Sequence, residues 1–356
     1  AREIAPRVVA LVRSGDSPIP GRDDASIAQA FLARGGFRAR VVDVSGTAQQ
    51  VCSAVVGAGQ VVLASLGIDP VLRSCLVAAG ETAVDYDSVG DQAPSAPGAG
   101  QVISTGRGAG PSLVDAGTWG VRTRAVTGRV GVVTTASLRA AVTAALPRLH
   151  AVGVDVVDEA YLPDTGPPDA VAIRAAVLSF AAAGVDTVMF SAPVLDQDQW
   201  VTQAAVVSPG TRYVVVDGFD AVSNESYPPM FSGAIAYTAL RGPWASRASG
   251  ATPTQQACQA TWEAASGIST TLAGTETEEV DAWCEEVGMV GAALRVASGV
   301  PAMADVLRAE HVTSPLTSDL GPLPAGLFGP TQDAVVVWEA SCSCWVQRTG
   351  FAPRSG

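Results

Sequence analysis

The sequence predicts an α/β protein made of two successive parallel sheets, each with helices on both faces. Short apolar runs rich in Val alternate with longer Ala- and Leu-rich segments over most of the 356 residues. The short runs lack polar alternation, which is typical of strands buried on both faces. The longer segments repeat apolar residues at helical spacing and stop at glycines such as Gly153 and Gly184, which suit the position just after a helix. This order of strands and helices predicts doubly wound, Rossmann-like sheets with crossover helices.

The first unit has five predicted strands. In chain order they are the runs RVVALVRS, FRARVVDVSG, QVVLASLG, ETAVDYDSV and QVISTGRG. A helix begins at Asp69 and Pro70, because aspartate suits the N-cap and proline suits the first helical turn. The Pro- and Gly-rich run GDQAPSAPGAG predicts a loop before the last strand. The helical run PSLVDAGTWGVRTRAV then closes the unit near Thr127.

The second unit repeats this pattern from Arg129 onward. Its strand runs are GRVGVVTTA, VDVVDEAYLP, VDTVMFSAP, TRYVVVDGF and FSGAIAYTAL. Three helical runs follow it: TPTQQACQATWEAASG, TETEEVDAWCEEVGMVGAALRVASG and PAMADVLRAEH. The Pro/Gly/Leu-rich passage SPLTSDLGPLPAGLFGP is assigned no element, and DAVVVWEASCSCWVQRTG predicts two strands joined by a tight connection.

The composition argues against a disordered, a nucleic-acid-binding and a membrane-spanning protein. Hydrophobic residues make up 48% of the chain and charged residues 16%, which supports folded cores rather than disorder. The net charge is −12, and all 22 basic residues are Arg. An acidic chain without a basic stripe argues against nucleic-acid binding. No apolar run reaches the roughly 18–20 residues that span a bilayer.

The six cysteines pair by chain order into three predicted disulfides, Cys52–Cys75, Cys258–Cys284 and Cys342–Cys344. A bond between two strand residues in a C-x-C run is geometrically strained, so the third pair is left open between bonded and free. Buried free thiols are the alternative for all of them. Disulfides would place the protein in an oxidising, exported location. With only two histidines in the chain, a Cys/His metal site is poorly supplied and we expect no metal.

Motifs that would indicate an enzyme are weak. The glycine-rich run Thr105–Gly110 lacks the spacing of a phosphate-binding loop, and the chain has no Lys. His150 and His311 both end predicted helices, and no G-x-S-x-G elbow is present. Three acidic residues at strand ends are compatible with catalytic carboxylates, ligand contacts or turn residues: Asp85, Asp87 and Asp217. Trp200 stays open between a ligand contact and core packing, whereas core positions are predicted for Trp119, Trp262 and Trp283.

Several of these runs resemble a known family. The strand GRVGVVTTA, the run from VDVVDEAYLP to VDTVMFSAP and the long helix VDAWCEEVGMVGAALRVAS are similar to the type 1 periplasmic binding proteins, in particular the branched-chain amino-acid-type substrate-binding proteins of ABC importers. A cysteine pair bracketing the third strand adds to the resemblance. The closing W-x-x-x-C-x-C-W and the Arg-only composition resemble such proteins from high-GC Gram-positive bacteria.

This resemblance implies two lobes, residues 1–127 with 243–326 and residues 128–242 with 327–356. Three hinge segments near Thr127, Arg241 and Phe328 would join them, and the lobes would close on a ligand. It also implies a monomer without cofactor or catalytic activity that delivers its solute to ABC-transporter membrane subunits. The expected location is extracellular or at the cell surface, with a lipid anchor in a segment before Ala1 as one form of attachment. A ligand-sensing domain of a receptor or regulator and an enzyme on a doubly wound fold are the alternatives.

The ligand is expected at the carboxyl ends of the strands, where parallel sheets bind small molecules. In the family, small hydroxyl residues after the third and fourth strands of the first lobe hold a carboxylate. Ser65 fits the first place, but Asp85, Tyr86 and Asp87 occupy the second and would repel a carboxylate. We therefore expect an amino-acid-like, cationic, polyol or aromatic ligand. The predicted contacts are Ser65, Asp85, Tyr86, Ser104 and Thr105 from the first lobe, and Thr135, Tyr161, Ser191, Asp217 and Phe219 from the second.

Overall fold

A computed structural model confirms that strands alternate with helices and that the strands form two largely parallel sheets. It describes residues 8–13, 29, 32–33, 38–43, 47–59, 61–64, 70–85, 101–104, 108–163, 167–192, 194–216, 227–241, 250–267, 275–296, 311–312, 314, 318, 320–323 and 327–353.

The strands of the described residues mostly coincide with the predicted apolar runs. In chain order they are β1 (Val8–Arg13), β2 (Arg38–Asp43), β3 (Val61–Ala64), β4 (Thr82–Asp85), β5 (Gln101–Ser104), β6 (Arg129–Thr135), β7 (Asp155–Leu162), β8 (Thr187–Ser191), β9 (Arg212–Val216), β10 (Ile235–Thr238), β11 (Leu320–Leu323), β12 (Leu327–Pro330), β13 (Gln332–Glu339) and β14 (Cys344–Pro353).

The helices lie between these strands. They are α1 (Ala48–Val55), α2 (Pro70–Ala78), α3 (Ala109–Thr123), α4 (Arg139–Ala151), α5 (Ala170–Ala182), α6 (Val194–Val207), α7 (Pro253–Ser266) and α8 (Thr275–Val296), with single 3₁₀ turns at Ala136–Leu138 and Pro229–Phe231.

The chain divides into two compact units, residues 1–107 with 251–331 and residues 108–250 with 332–356. This division differs from the predicted lobe boundary at Thr127. Helix α3 was predicted to close the first unit, but its Leu113 and Ala116 belong to a hydrophobic cluster with Val130 and Val142 of the second. The apolar face of α3 therefore determines its place, and sequence order alone could not indicate which sheet it covers.

The sheet of the first unit is parallel, in the order β2-β1-β3-β4-β5. Successive side chains of β3 point to opposite faces. Val61 and Leu63 join a core with Trp283 of α8, whereas Val62 joins a second core with Leu76 of α2. Burial on both faces explains why this strand is a continuous apolar run.

The hairpin of β11 and β12 was missed in the sequence analysis. Leu320 pairs with Pro330, and Pro322 with Phe328, in an antiparallel register. Proline cannot donate to a strand ladder and glycine weakens strands, so the composition of this passage favours a loop. A two-stranded ribbon tolerates both, because each of its strands is an edge.

The sheet of the second unit has the order β14-β13-β10-β9-β8-β6-β7. The five strands from β10 to β7 are parallel, and β13 and β14 extend the sheet in antiparallel pairing. Val132 of β6 faces a core with Val142 of α4, whereas Val133 faces the opposite core with Val177 of α5. This sheet is thus also covered on both faces.

All six cysteines are disulfide-bonded, in the pairs that chain order predicted. The first bond joins α1 to α2, the second joins α7 to α8, and the third closes the turn between β13 and β14: Cys52–Cys75, Cys258–Cys284 and Cys342–Cys344.

The tryptophans lie in the cores more often than the sequence suggested. Trp262 and Trp283 are fully buried, as predicted. Trp200, which had been left open, is also fully buried. Trp119 is half-buried and stacks on Tyr237 with ring centroids 5.5 Å apart.

Helix α8 buries three acidic side chains, Asp281, Glu285 and Glu286. Gln255 of α7 donates a hydrogen bond from Nε2 to Asp281 Oδ2 at 3.1 Å, and Ser314 contacts the carboxylate of Glu285. Burial is the main cause that raises the pKa of Asp281 to about 8; the hydrogen bond from Gln255 opposes this shift, and the charge of Glu285 adds to it. Asp281 therefore keeps a proton in the folded protein at neutral pH.

A close helix–strand contact predicts the effect of one substitution. A Cβ on Gly131 of β6 would lie 2.1 Å from the ring of Phe180, so no larger residue fits without moving α5. We expect Gly131→Ala to lower the free energy of unfolding by about 1–3 kcal/mol through overpacking. Gly210→Ala is the control, since a Cβ there meets no atom within 4 Å. Equal urea midpoints for both variants would contradict this contact.

The buried carboxyl of Asp281 predicts a pH-dependent stability. Its pKa is higher in the folded than in the unfolded chain, so its contribution is greatest below its ordinary value of 3.8 and is lost as pH rises through about 8. Between pH 6 and 8 the loss should reach up to about 2 kcal/mol. Asp281→Asn should flatten this dependence in thermal unfolding at pH 6, 7 and 8. Parallel curves for variant and wild type would show that Asp281 is not the linked group.

Candidate ligand-binding site

The strand order of the second unit reverses between β6 and β8. From β6 the chain crosses to β7 on one side, and then to β8 and β9 on the other. The crossover helices therefore diverge at this point and leave a crevice beyond the carboxyl ends of β6 and β8. Ligands of open α/β sheets bind at such a reversal.

Hydroxyl side chains lie at this reversal. Thr134 of β6 pairs with Ser191 of β8, and its Oγ1 donates to the Ser191 carbonyl at 3.0 Å. The next residue, Thr135, has its Oγ1 3.2 Å from Ser137 Oγ. The Ser191 hydroxyl is half-buried and has no hydrogen bond to any described residue. Two predicted contacts, Thr135 and Ser191, are thus brought onto neighbouring strand ends.

Helices begin beside both strand ends. A 3₁₀ turn starts at Ala136, directly after β6, and α6 starts at Val194, three residues after β8 ends. The first backbone N–H groups of a helix have no partner within it, and the helix dipole gives this end a partial positive charge. The edge can therefore offer backbone donors as well as hydroxyls to a ligand.

Tyr161 lies at the same edge, on the outer strand β7. Its hydroxyl contacts the carboxylate of Glu159 and bonds Thr143 of α4, and the Arg139 guanidinium lies 3.7 Å from its ring centroid. Burial and the bond to Glu159 raise the pKa of Tyr161. The hydroxyl predicted to contact a ligand is thus already bonded within the unit.

The remaining predicted contacts are only partly described. Asp85 and Ser104 are the last residues of β4 and β5 and lie opposite each other in the parallel register. The strand ends of the first unit therefore bring these two positions together. The other predicted contacts lie outside the described residues: Ser65, Tyr86, Thr105, Asp217 and Phe219.

The first turn of α6 carries two buried polar residues that sequence reasoning missed. Gln197 Nε2 donates to the Ala192 carbonyl at 2.6 Å, and its Oε1 accepts from the Tyr227 hydroxyl at 3.1 Å. Asp196 is 7% exposed, and burial raises its pKa. The run VLDQDQW offers no signal that distinguishes these residues from a solvated first turn, because their burial depends on how α6 packs.

Other kinds of site find little support in the described chain. Its His, Cys, Asp and Glu side chains form no group of three placed to hold a metal ion. His150 and His311 are both exposed. Within the described residues, none of the helices combines the length and apolarity needed to cross a bilayer.

Comparison with known proteins finds similarity at the level of structure only. No family model matches the sequence, and no curated protein matches it. The solved structures that match include a substrate-binding protein of an ABC transporter from Aeropyrum pernix, with a TM-score of 0.74, 12% identity, and coverage of 98% of this chain and 96% of that one. A solute-binding protein from R. palustris in complex with 4-hydroxybenzoate has a TM-score of 0.70, 12% identity and 98% coverage of both chains.

The chain is also similar in structure to a branched-chain amino-acid ABC transporter protein from Thermus thermophilus with bound valine. Its TM-score is 0.67 at 13% identity, over 97% of this chain and 95% of that one. These matches extend over nearly the full length of both partners, as the resemblance in the sequence implied. The chain therefore has the type 1 fold of the periplasmic solute-binding proteins of ABC transporters.

Proposed function

We propose that this protein is an extracellular solute-binding protein of an ABC importer that captures a small polar molecule and does not transform it. The observation that carries the proposal is the pair of hydroxyl residues, Thr135 and Ser191, on the two strand ends that flank the reversal of strand order. The fold shared with solute-binding proteins over nearly the whole chain supports it. Three disulfides favour an oxidising, exported location.

The edge of the second unit is suited to a ligand with hydrogen-bonding groups. Ser191 supplies a half-buried hydroxyl, and the adjoining first turns supply backbone N–H groups. The paired strand ends at Asp85 and Ser104 are the proposed contribution of the first unit. Delivery of the solute to membrane subunits completes the proposal.

The ligand class is proposed to be an amino-acid-like, cationic, polyol or aromatic solute. Valine and 4-hydroxybenzoate are bound by two proteins of the same fold. Both carry a carboxylate, which hydroxyls and helix N-termini recognise well. Chemistry of this kind at Thr135 and Ser191 would hold one end of a small solute, and other groups would select its opposite end.

A binding screen tests this function. The intact protein is heated with amino acids, amines, polyols and hydroxybenzoates, and saturable stabilisation is measured. A ligand at 100 times its Kd should add about 2.7 kcal/mol, which is roughly 2–4 °C. Recovery of the ligand unchanged after long incubation, checked by mass spectrometry, is expected. Turnover, or the absence of any saturable binding across the panel, would contradict the proposal.

Substitutions at the strand ends then locate the site. Thr135→Val and Ser191→Ala should each weaken binding about 3–10-fold in calorimetry, the effect of losing one neutral hydrogen bond. Thr202→Val and Ser232→Ala are the matched controls, because both residues are exposed elsewhere in the second unit. Binding that all four variants retain unchanged would place the ligand away from this edge.

A further inference from the structure

The disulfide between Cys342 and Cys344 is the most exposed of the three. It lies in the turn that joins β13 to β14 and spans a single residue, Ser343. Cys342 and Ser343 are both exposed, and Cys344 is half-buried. Thiol–disulfide exchange requires the attacking thiolate to reach a disulfide sulfur, and Cys342 Sγ meets this requirement from solvent.

The other two disulfides lie against hydrophobic cores of the first unit. Cys258 and Cys284 are 7% and 9% exposed, and both belong to the core that α8 forms with the sheet. Cys52 is 1% exposed in the core on the opposite face, and the half-buried Cys75 packs against that core. A thiol from solvent therefore reaches the turn between β13 and β14 before it reaches either of these bonds.

Other contacts hold the hairpin of β13 and β14 together. Trp338 and Trp345 pair across the two strands, and their buried rings lie 5.7 Å apart. At the end of β13, Glu339 Oε1 lies 2.5 Å from the guanidinium of Arg348. The exposed disulfide has a sequence separation of 2, against 23 and 26 for the other two, so it removes far less freedom from the unfolded chain. Its contribution to stability is therefore small.

The turn that the bond closes has an unfavourable backbone conformation. Ser343 has a φ of 48°, in the left-handed region that residues other than glycine rarely adopt. The hydrogen bonds within the turn are long, since the Cys342 amide donates to the Glu339 carbonyl at 3.3 Å and the Ser343 amide to the Ala340 carbonyl at 3.4 Å. Opening of the bond allows Ser343 to leave this conformation, which favours reduction.

This turn lies at the opposite edge of the sheet from the candidate ligand-binding site. Ile235, the first residue of β10, pairs with Val337 near the end of β13 in an antiparallel register. Because β10 is parallel to β9 and β9 to β8, the turn after β13 lies at the amino edge of these parallel strands. Thr135 and Ser191 lie at the carboxyl edge, so a reaction at the turn is separate from solute binding.

We propose that the Cys342–Cys344 disulfide is a thiol–disulfide exchange site that accepts electrons from a dithiol. A thiolate of the dithiol attacks Cys342 Sγ, the bond to Cys344 Sγ breaks, and Cys344 leaves as a thiolate that takes up a proton. The second thiol of the dithiol then attacks the dithiol's own sulfur in the mixed disulfide and releases Cys342. The dithiol is thereby oxidised to a disulfide, and the two cysteines gain two electrons and two protons.

Reduction of the folded protein followed by alkylation tests this site. The intact chain is incubated with dithiothreitol, samples are trapped over time with N-ethylmaleimide, and mass spectrometry locates each modified cysteine. Cys342 and Cys344 should be modified at least about 10-fold faster than the other four cysteines, while the circular dichroism stays unchanged. Equal or faster opening of a buried bond, or resistance of all three bonds, would overturn the proposal and leave the solute-binding function standing.

Single substitutions test which sulfur is attacked. Cys344→Ser leaves the exposed Cys342 as a free thiol, and Cys342→Ser leaves the half-buried Cys344. The first variant should react with 5,5′-dithiobis(2-nitrobenzoate) at least about 5-fold faster than the second, because its sulfur is more accessible. A faster reaction of Cys344 would contradict the order of attack.

Double substitutions separate an exchange site from a structural crosslink. Cys342→Ser combined with Cys344→Ser should fold and lose less than about 3 °C in thermal unfolding, because the bond closes so short a loop. Cys258→Ser combined with Cys284→Ser removes a bond with a sequence separation of 26 and should lose more, or fail to fold. Failure of the first variant to fold, or equal losses in both, would identify a structural crosslink and refute the exchange site.

Discussion

Burial of parallel strands on both faces determines where polar side chains can be placed in this protein. Along β6 and β8 the central residues pack into cores on both sides of the sheet. Hydroxyl residues lie at the strand ends, where Thr187 bonds the Thr127 carbonyl at one edge and Thr134 bonds the Ser191 carbonyl at the other. The reversal of strand order then distinguishes the two edges, because only the carboxyl edge has diverging helices and a crevice. The candidate site is in this sense a consequence of the core.

Burial of the sheet on both faces also determines which side chains of α6 are buried. A helix that covers a buried sheet must bury its own inner face, and in α6 that face runs from Asp196 to Trp200. Gln197 meets this requirement by bonding Ala192 and Tyr227, so its burial is compensated. Asp196 is only 7% exposed on the same turn, and burial raises its pKa. The inner face of one helix thus combines core packing with polar side chains near the strand ends.

The sequence predicted the fold, and the strand-end positions of two candidate site residues, for a clear physical reason. Apolar runs without alternation identify parallel strands, and the residue after each run is then at a strand end, which located Thr135 and Ser191. The sequence did not predict the tertiary contacts. The bond of Tyr161 to Thr143, the packing of α3 on the second unit and the burial of Asp196 all depend on which elements meet. The sequence did not predict the hairpin of β11 and β12, because its prolines favour a loop, whereas a ribbon of two edge strands tolerates them.

Hydrogen–deuterium exchange with and without a saturating solute tests whether the ligand binds at the carboxyl edge of β6 and β8. The first amides of the turns after β6 and β8 have no intrahelical partner, so they exchange readily unless a ligand covers them. We expect ligand-induced protection at residues 136–138 and 194–197. Saturable binding with protection confined to other segments, such as β13 and β14, would contradict it.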